Sequence, residues 1–203
     1  MENNVTQIRI KKDNNKGEVI RWILRDMEEG KIIEMRSIGA KALQEATWIC
    51  ISVRLELNKI GLDLFIRDEF ETVKAKKMDT PDGSKPEFVE STAIKKTLIV
   101  KDFNDVQEDD RGTFVVMVAN GSDCCRVGTA ITKGLQTGKK VEVRSICLIS
   151  LNQATKACIM ANRFMSKDGK SILVQDSFEI VHITDSAGRI MEKTAIKKTI
   201  VER

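Results

Sequence analysis

An internal repeat is the feature that most constrains how this chain of 203 residues can fold. The segment 36–73 aligns without a gap on the segment 144–181, and the hexapeptide TAIKKT occurs at both 92–97 and 194–199. A repeat of this size means that one folding unit occurs twice, so we expect both copies to share an element order and a core. Positions that carry the same residue in both copies include Arg36 and Arg144, Leu43 and Leu151, Ala46 and Ala154, Cys50 and Cys158, and Phe70 and Phe178.

The polar stretch between the two copies predicts a domain boundary. The sequence KDFNDVQEDDRG at 101–112 is acidic and has no apolar periodicity, which is typical of a linker. We therefore predict a first domain at 1–101, an acidic linker at 102–112 and a second domain at 113–203.

Apolar spacing predicts the same order of elements in each copy. Ile8 and Ile10 alternate with polar residues as in a strand, and a helical stripe runs from Leu43 to Leu57. The fold class that follows is α/β (α+β), with two tandem β-α-β-α-β-β sandwich domains, each a small mixed sheet with two helices on one face. The long connection at 71–90 is expected to be a functional loop, a disordered segment or an extended hairpin. The remaining predicted elements are a helix at 18–29, a strand at 32–38, and last strands at about 62–68 and 92–100 in the first copy and about 170–176 and 193–201 in the second.

Composition argues against several classes of protein. Apolar residues make up 41% of the chain and charged residues 32%, which suits a folded domain with a packed core. Apolar runs are too short to span a bilayer and the first residues lack the apolar segment of a secretory signal, so we expect a cytoplasmic protein with no membrane partner. Five cysteines without a CxxC pair and one histidine favour reduced thiols and argue against a metal site. Familiar nucleotide-binding and hydrolase motifs are absent from the sequence, so we expect neither a cofactor nor enzymatic activity.

Short motifs in both copies resemble the stage V sporulation protein S family of the Alba-like superfamily. The first copy reads RSIGAKALQEA at 36–46 and TAIK at 92–95, and the second keeps LNQA at 151–154 and TAIK at 194–197. The second copy departs at the helix start, where Cys147-Leu148-Ile149 replaces Gly39-Ala40-Lys41. The resemblance covers nearly the whole chain, once per copy, and implies a tandem duplication of the family's domain.

The resemblance implies that the chain binds nucleic acid. Alba-like domains are small basic modules, usually paired as dimers, that bind DNA or RNA through the first strand–helix loop, the start of the second helix and the hairpin of the last strands. A tandem copy is similar to a fused dimer, so we expect the two domains to pair within the chain, and a further homo-oligomer is possible. Trp48 lies away from the apolar stripe of its helix, and we expect it at an interface rather than stacked on a base.

Basic residues at the corresponding positions are the predicted contacts with nucleic acid. Those of the first copy lie in its first loop, its second strand, its second helix and its last two strands: Lys11, Lys12, Lys16, Arg36, Lys41, Lys74, Lys76, Lys77 and Lys95. Those of the second copy are Arg126, Arg144, Arg189, Lys193 and Lys197. An ordinary solvated surface explains the lysines of the loops and hairpins as well, and salt bridges with Glu34 and Glu142 equally explain Arg36 and Arg144. Because Lys95 and Lys96 are adjacent on a strand, they point to opposite faces, and the sequence does not decide which faces a ligand.

Net charge bears on which nucleic acid is bound. A formal charge of +4 is small for a protein that wraps duplex DNA, and aromatic residues make up only 4% of the chain. We therefore expect RNA, single-stranded or structured, to be preferred over duplex DNA, with contacts mainly to the phosphate backbone and little sequence readout. The alternative is a regulatory or assembly protein that uses its tandem domains for protein–protein interaction or self-association.

Overall fold

The two copies have the same order of elements. The computed structural model describes residues 4–76, 88–102, 112–184 and 188–203. The predicted linker at 102–112 lies almost wholly outside these residues, and the predicted domain boundaries stay a prediction. The elements of the first copy are β1 (Val5–Ile10), α1 (Lys16–Glu28), β2 (Ile32–Ser37), α2 (Ala40–Asn58), β3 (Leu62–Lys76) and β4 (Phe88–Asp102). Those of the second are β5 (Thr113–Val118), α3 (Cys124–Gln136), β6 (Lys140–Ser145), α4 (Leu148–Met165), a short 3₁₀ helix (Ser166–Asp168), β7 (Ile172–Thr184) and β8 (Ile190–Glu202).

All eight described strands belong to one mixed sheet, in the order β1-β2-β4-β3-β7-β8-β6-β5. The pairs β1–β2 and β5–β6 are parallel, and the other neighbours are antiparallel. The predicted mixed α/β fold class is confirmed, with one difference: the two four-stranded sheets are joined edge to edge. The join is a single residue pair, Ile66 with Val174, which occupy equivalent positions of the repeat. An approximate two-fold axis therefore passes through the sheet at this pair.

Apolar side chains on one face of the sheet make a separate core in each half. In the first half, Ile33 and Met35 point from β2 towards α1 and α2 and are fully buried, whereas Glu34 and Arg36 point to the opposite face. The second half repeats this arrangement with Val141 and Val143 of β6. This alternation follows from the two-residue period of a strand and leaves the opposite face of the sheet, here called the outer face, without helices.

The helices α2 and α4 pack on each other across the two-fold axis. Two small apolar clusters mark the contact: one contains Leu43, Ile94 and Ile159, and the other contains Ile51, Leu151 and Ile196. Each cluster combines side chains from both halves, and the repeat relates one cluster to the other. Trp48 of α2 joins the second cluster, where its ring meets that of Phe178 edge to face with the centroids 6.3 Å apart.

Four buried charges also lie at this contact, here called the buried charge cluster. Nζ of Lys96 is 2.8 Å from Oδ1 of Asp68 and 3.8 Å from Oδ2 of Asp176, and Nζ of Lys198 is 2.8 Å from Oδ1 of Asp176. All four side chains are at most 2% exposed. Burial alone would lower the pKa of Lys96, but the carboxylates of Asp68 and Asp176 outweigh it and raise that pKa. The cluster is neutral overall and ties the halves together at their centre.

The last two strands of each half are longer than the sequence predicts. In the first half β3 and β4 stay paired as far as Lys76 and Phe88, past the point where Ser37 ends β2. In the second half β7 and β8 stay paired as far as Thr184 and Ile190. These extensions lie beyond the helical core, so their residues lack the strong apolar pattern from which strands are predicted. The connection at 71–90 is thus an extended hairpin as far as the described residues reach, and each extension is here called an arm.

Candidate nucleic-acid interface

Strand directions bring the three predicted basic elements of the first half to the same side of the sheet, where β1, β2 and β3 end. This row of strand ends is here called the first edge. Because β2 and β3 are both antiparallel to β4, they run in the same direction, as does β1. The loop after β1, the start of α2 after β2 and the arm of β3 and β4 therefore all leave the sheet at its first edge. In the second half the matching elements leave at the opposite edge, the second edge, because β7 runs antiparallel to β3.

The loop between β1 and α1 holds two exposed lysines and one that is already engaged. Lys11 and Lys12 are exposed and form no ion pair with other described residues. The backbone N–H of Lys11 donates to the side chain of Asn14, which fixes the loop. Lys16, the first residue of α1, instead pairs with Glu45 at 2.9 Å and lies 4.5 Å from the ring of Trp48. Lys11 and Lys12 are thus available to a ligand, and Lys16 mainly joins the two helices.

The start of α2 adds backbone donors and a further lysine at the first edge. Gly39 precedes the helix with a φ of +82°, a conformation that favours glycine, and no side chain caps the helix N-terminus. The first N–H groups of α2 are therefore free of a side-chain cap, and the helix dipole favours an anion there. Lys41 lies in this first turn, exposed and without an ion pair among the described residues.

The predicted contacts on the outer face of the first half are neutralised. Arg36 is held by both oxygens of Glu71 and by Glu34 at 3.2 Å. The hydrogen bonds that Arg36 donates to Glu71 raise the pKa of Arg36 and lower the pKa of Glu71. Lys95 lies 3.1 Å from Glu69 and 3.4 Å from Glu34. Arg36 and Lys95 are thus both paired with carboxylates, so neither side chain is free to bind a phosphate.

The second half repeats this outer-face network. Nε of Arg144 is 2.6 Å from Glu179, and its Nη2 is 3.1 Å from Glu142. Lys197 lies between the same two carboxylates, at 3.9 Å and 4.0 Å. The salt bridges weighed for Arg36 and Arg144 are therefore present in both halves, with Glu71 and Glu179 as partners that sequence reasoning missed. The sequence signal that could have pointed to these two glutamates is the Phe-Glu dipeptide, which both copies carry at 70–71 and 178–179.

The two arms differ in character. On the first arm Lys74 is exposed and forms no ion pair with other described residues. Lys76 is the last described residue of β3, and Lys77 lies outside the described residues. On the second arm Lys193 is exposed, but Ile180 and Ile190 are also 66% and 73% exposed. On the first arm Phe88 and Val89 are likewise 62% and 37% exposed, so the first arm is distinguished by its lysines and not by a lack of apolar side chains.

The second edge carries fewer cations. Arg126 is exposed in the first turn of α3, where its backbone N–H donates to Asp123 at 2.8 Å, and Arg189 is exposed beside the second arm. The start of α4 has Ile149 where α2 has Lys41, and Cys147 where α2 has Gly39. The two edges are therefore unequal, and the first edge is the stronger candidate for binding a polyanion.

Cys147 is an exposed thiol at the second edge. Its Sγ lies 2.7 Å from Oδ1 of Asn120, and hydrogen bonds with Ser150 lower its pKa. Cys50 and Cys158 are buried in α2 and α4, and burial raises the pKa of each thiol to about 12. No three His, Cys, Asp or Glu side chains in the described part of the chain are grouped to hold a metal ion. Within the same part, no helix is both long and apolar enough to cross a membrane.

Comparison with known proteins identifies the second half. Residues 114–203 match the model of the stage V sporulation protein S family. The second half is thus similar to one stage V sporulation protein S domain over the range from Phe114 in β5 to Arg203. The first half lies outside this match and shares with that domain the internal repeat, the element order and the strand pairing described above. A search of curated proteins found no match.

Proposed function

We propose that the protein is a non-enzymatic nucleic-acid-binding protein built from a tandem duplication of the stage V sporulation protein S domain. The observation that carries the proposal is the convergence of three basic elements at the first edge. Lys11 and Lys12, Lys41 beside the uncapped start of α2, and Lys74 on the arm all emerge there, exposed and without ion pairs among the described residues. Lysines and helix N-termini are the groups that bind phosphate oxygens.

We propose that RNA is preferred over duplex DNA. On the outer face Arg36, Lys95 and Arg144 are paired with carboxylates, so these three cations are not free to bind a duplex. A narrow edge with a few free lysines suits a single strand or an irregular RNA, whose backbone can bend to reach them. Because few aromatic side chains are available to stack on bases, binding depends on the phosphate backbone and reads little sequence.

A triple variant tests the first edge. Lys11→Gln, Lys12→Gln and Lys41→Gln together remove three exposed charges, and fluorescence anisotropy with labelled single-stranded RNA, single-stranded DNA and duplex DNA reports affinity. Each lost phosphate contact lowers the slope of log affinity against log salt by about 0.7 for a single strand, so the triple variant should lose about 2. We expect weaker binding of every probe, with RNA bound most tightly by the wild type.

A matched control separates this site from overall charge. Lys59→Gln, Arg126→Gln and Lys193→Gln remove the same number of exposed cations, all of them at the second edge. This control should keep the wild-type salt slope. Equal losses in the two triple variants would show that net charge, and not the first edge, determines binding.

An assembly protein is the second candidate, and β5 is the observation that favours it. This strand ends the sheet, and Val115 and Met117 are 38% and 56% exposed on its outer face. An unpaired, apolar edge strand is a template for pairing with another chain. If assembly is the function, light scattering will show concentration-dependent oligomers at high salt that Met117→Glu disperses, and nucleic acid will not bind.

A further inference from the structure

A small cavity lies between the two halves beside the start of α4. Its volume is about 100 Å³, and it is here called the thiol cavity because Cys147 is one of its lining residues. Most of the lining is apolar: Trp48 of α2 comes from the first half, and Ile146, Leu151, Phe178 and Ile196 come from the second. The thiol cavity therefore suits a small apolar group that reaches it at the second edge.

Cys147 supplies a nucleophile to this cavity. It is the N-cap residue of α4 and is exposed, whereas Leu151 in the same lining is buried. Its Sγ lies 3.3 Å from Oγ of Ser150. Hydrogen bonding with the Ser150 hydroxyl and with the backbone N–H groups of Ser150 and Ile149 lowers the pKa of the thiol. A larger fraction of Cys147 is therefore thiolate, which is the form that attacks carbon.

A buried hydroxyl in the lining lacks a hydrogen-bond partner. Ser145 is 2% exposed, and its Oγ makes no hydrogen bond within the described part of the chain. The equivalent Ser37 donates to the carbonyl of Ile94 at 3.4 Å. Leaving a buried hydroxyl unpaired is costly, so this position favours a ligand that accepts a hydrogen bond, such as a carbonyl oxygen. Gln44 and Thr194 complete the lining and are polar as well.

The first half has no equivalent of this site. Gly39 occupies the position of Cys147, and Lys156 of α4 occupies the position of Trp48. The thiol and the aromatic wall therefore occur together at one end of the contact between the halves and are both replaced at the other. The fold, which the two halves share, does not require either of them.

The size of the thiol cavity limits what it can hold. An apolar cavity of about 150 Å³ holds one benzene molecule, so a cavity of this volume holds a group of about four carbon atoms. The group must also react with a thiolate and accept a hydrogen bond. A short α,β-unsaturated carbonyl compound meets all of these requirements, because its β-carbon is electrophilic, its oxygen accepts a hydrogen bond and its chain is apolar.

We propose that Cys147 is a modification site for short α,β-unsaturated carbonyl compounds, which the thiol cavity binds and orients. The thiolate sulfur bonds to the β-carbon, the electron pair of the double bond moves onto the carbonyl, and the resulting enolate takes up a proton at its α-carbon. The thiol proton is lost to water and the new proton comes from water, so S–H adds across the double bond without a leaving group or an oxidant.

The lining has a defined part in this addition. Ser145 donates to the carbonyl oxygen, on which negative charge develops as the enolate forms, and the carbon chain lies against Trp48 and Leu151. The site lies at the second edge and is independent of the nucleic-acid binding proposed for the first edge.

Site-resolved mass spectrometry with two reagents tests the proposal on the full native chain. Methyl vinyl ketone is a short unsaturated ketone that fits the thiol cavity, whereas dithiobis(nitrobenzoate) is too large and too charged to enter it. Cys125, which is exposed in the first turn of α3, is the reference thiol. The ratio of the rate at Cys147 to the rate at Cys125 should be at least about tenfold higher with methyl vinyl ketone, because orientation in the cavity favours that reagent alone.

Three serine variants separate the cavity from the reactivity of the thiol. Ser145→Ala removes the donor and should slow methyl vinyl ketone at Cys147 about fivefold while leaving the rate of dithiobis(nitrobenzoate) unchanged. Ser150→Ala removes a hydrogen bond that lowers the pKa of the thiol and should slow both reagents alike. Ser166→Ala removes an exposed hydroxyl at the end of α4 and should change neither rate.

Equal rate ratios for the two reagents would overturn the proposal, because the reactivity of Cys147 would then reflect its thiolate alone. An unchanged rate with Ser145→Ala would overturn the role given to that hydroxyl. If Ser145→Ala does not fold, the emission of Trp48 in a Trp22→Phe background provides a second test. The adduct at Cys147 should alter this emission because it contacts the ring, and an adduct that leaves the emission unchanged would contradict its placement in the thiol cavity.

Discussion

The buried charge cluster leads to a sharp prediction about stability. Lys96→Met removes the ammonium that neutralises Asp68, and both side chains are at most 2% exposed. Removing one partner of a buried pair leaves an uncompensated charge and costs about 3–5 kcal/mol. With a urea m-value of about 2 kcal/mol per M, the unfolding midpoint should fall by about 2 M. Fluorescence of Trp48, which contacts Phe178 across the two halves, reports the transition, with Trp22→Phe as the background.

Two further variants make the reasoning refutable. Lys96→Met with Asp68→Leu removes the whole pair and leaves the neutral pair of Asp176 and Lys198, so stability should return to within about 1 kcal/mol of the wild type or exceed it. Lys95→Met changes the neighbouring lysine, which is partly exposed on the outer face, and should cost less than about 1 kcal/mol. If Lys96→Met costs no more than Lys95→Met, or if the double variant stays as unstable as the single one, the buried cluster does not act as described.

Two other properties follow from the site geometry. Arg36 lowers the pKa of Glu71 below its ordinary value of 4.5. The ionised Glu71 carboxylate therefore stabilises the folded state fully above pH 4.5, and this stabilisation is lost as the pH falls through the lowered pKa. Glu71→Gln should therefore flatten the acid limb of stability measured by thermal unfolding at several pH values, and an unchanged limb would contradict the pairing. Thiol labelling followed by mass spectrometry should show that Cys147 is modified in the native protein. Cys50 and Cys158 should stay unmodified until denaturant is added, because both are buried. Labelling of either buried thiol in the native protein would refute their placement in the core.

Much of the fold could be predicted because its signals are local and occur twice. The stripe of α2, from Leu43 to Leu57, is a helical period that the second copy repeats, and the TAIKKT hexapeptide marks the strands β4 and β8. The positions of Lys95 and Lys96 could not be assigned, because alternation puts them on opposite faces without saying which face is covered. The register decides it: Lys96 lies beside Met35 of the core, and its partner Asp68 is 28 residues away.

The location of the candidate site could be predicted, but the sequence did not show which of its basic residues are paired with carboxylates. The first loop and the start of α2 could be placed because helix N-termini follow strands β1 and β2. The pairing of Arg36 with Glu71 could not be predicted, because the two residues are 35 positions apart and only the fold brings them together. The cavity that Asp68, Asn162 and Arg163 line between the halves could not be predicted, because its walls come from residues that are far apart in the sequence.

The opposed directions of the two halves limit how the protein can hold a long polymer. Eight strands spaced about 4.8 Å apart make a sheet about 35 Å wide. The basic loops of the first half lie at its first edge, and those of the second half lie at its second edge. A stiff rod lying against one side cannot touch the other. If the proposed binding used both edges at once, the polymer would have to fold back around the sheet, or two separate molecules would have to bind, one at each edge.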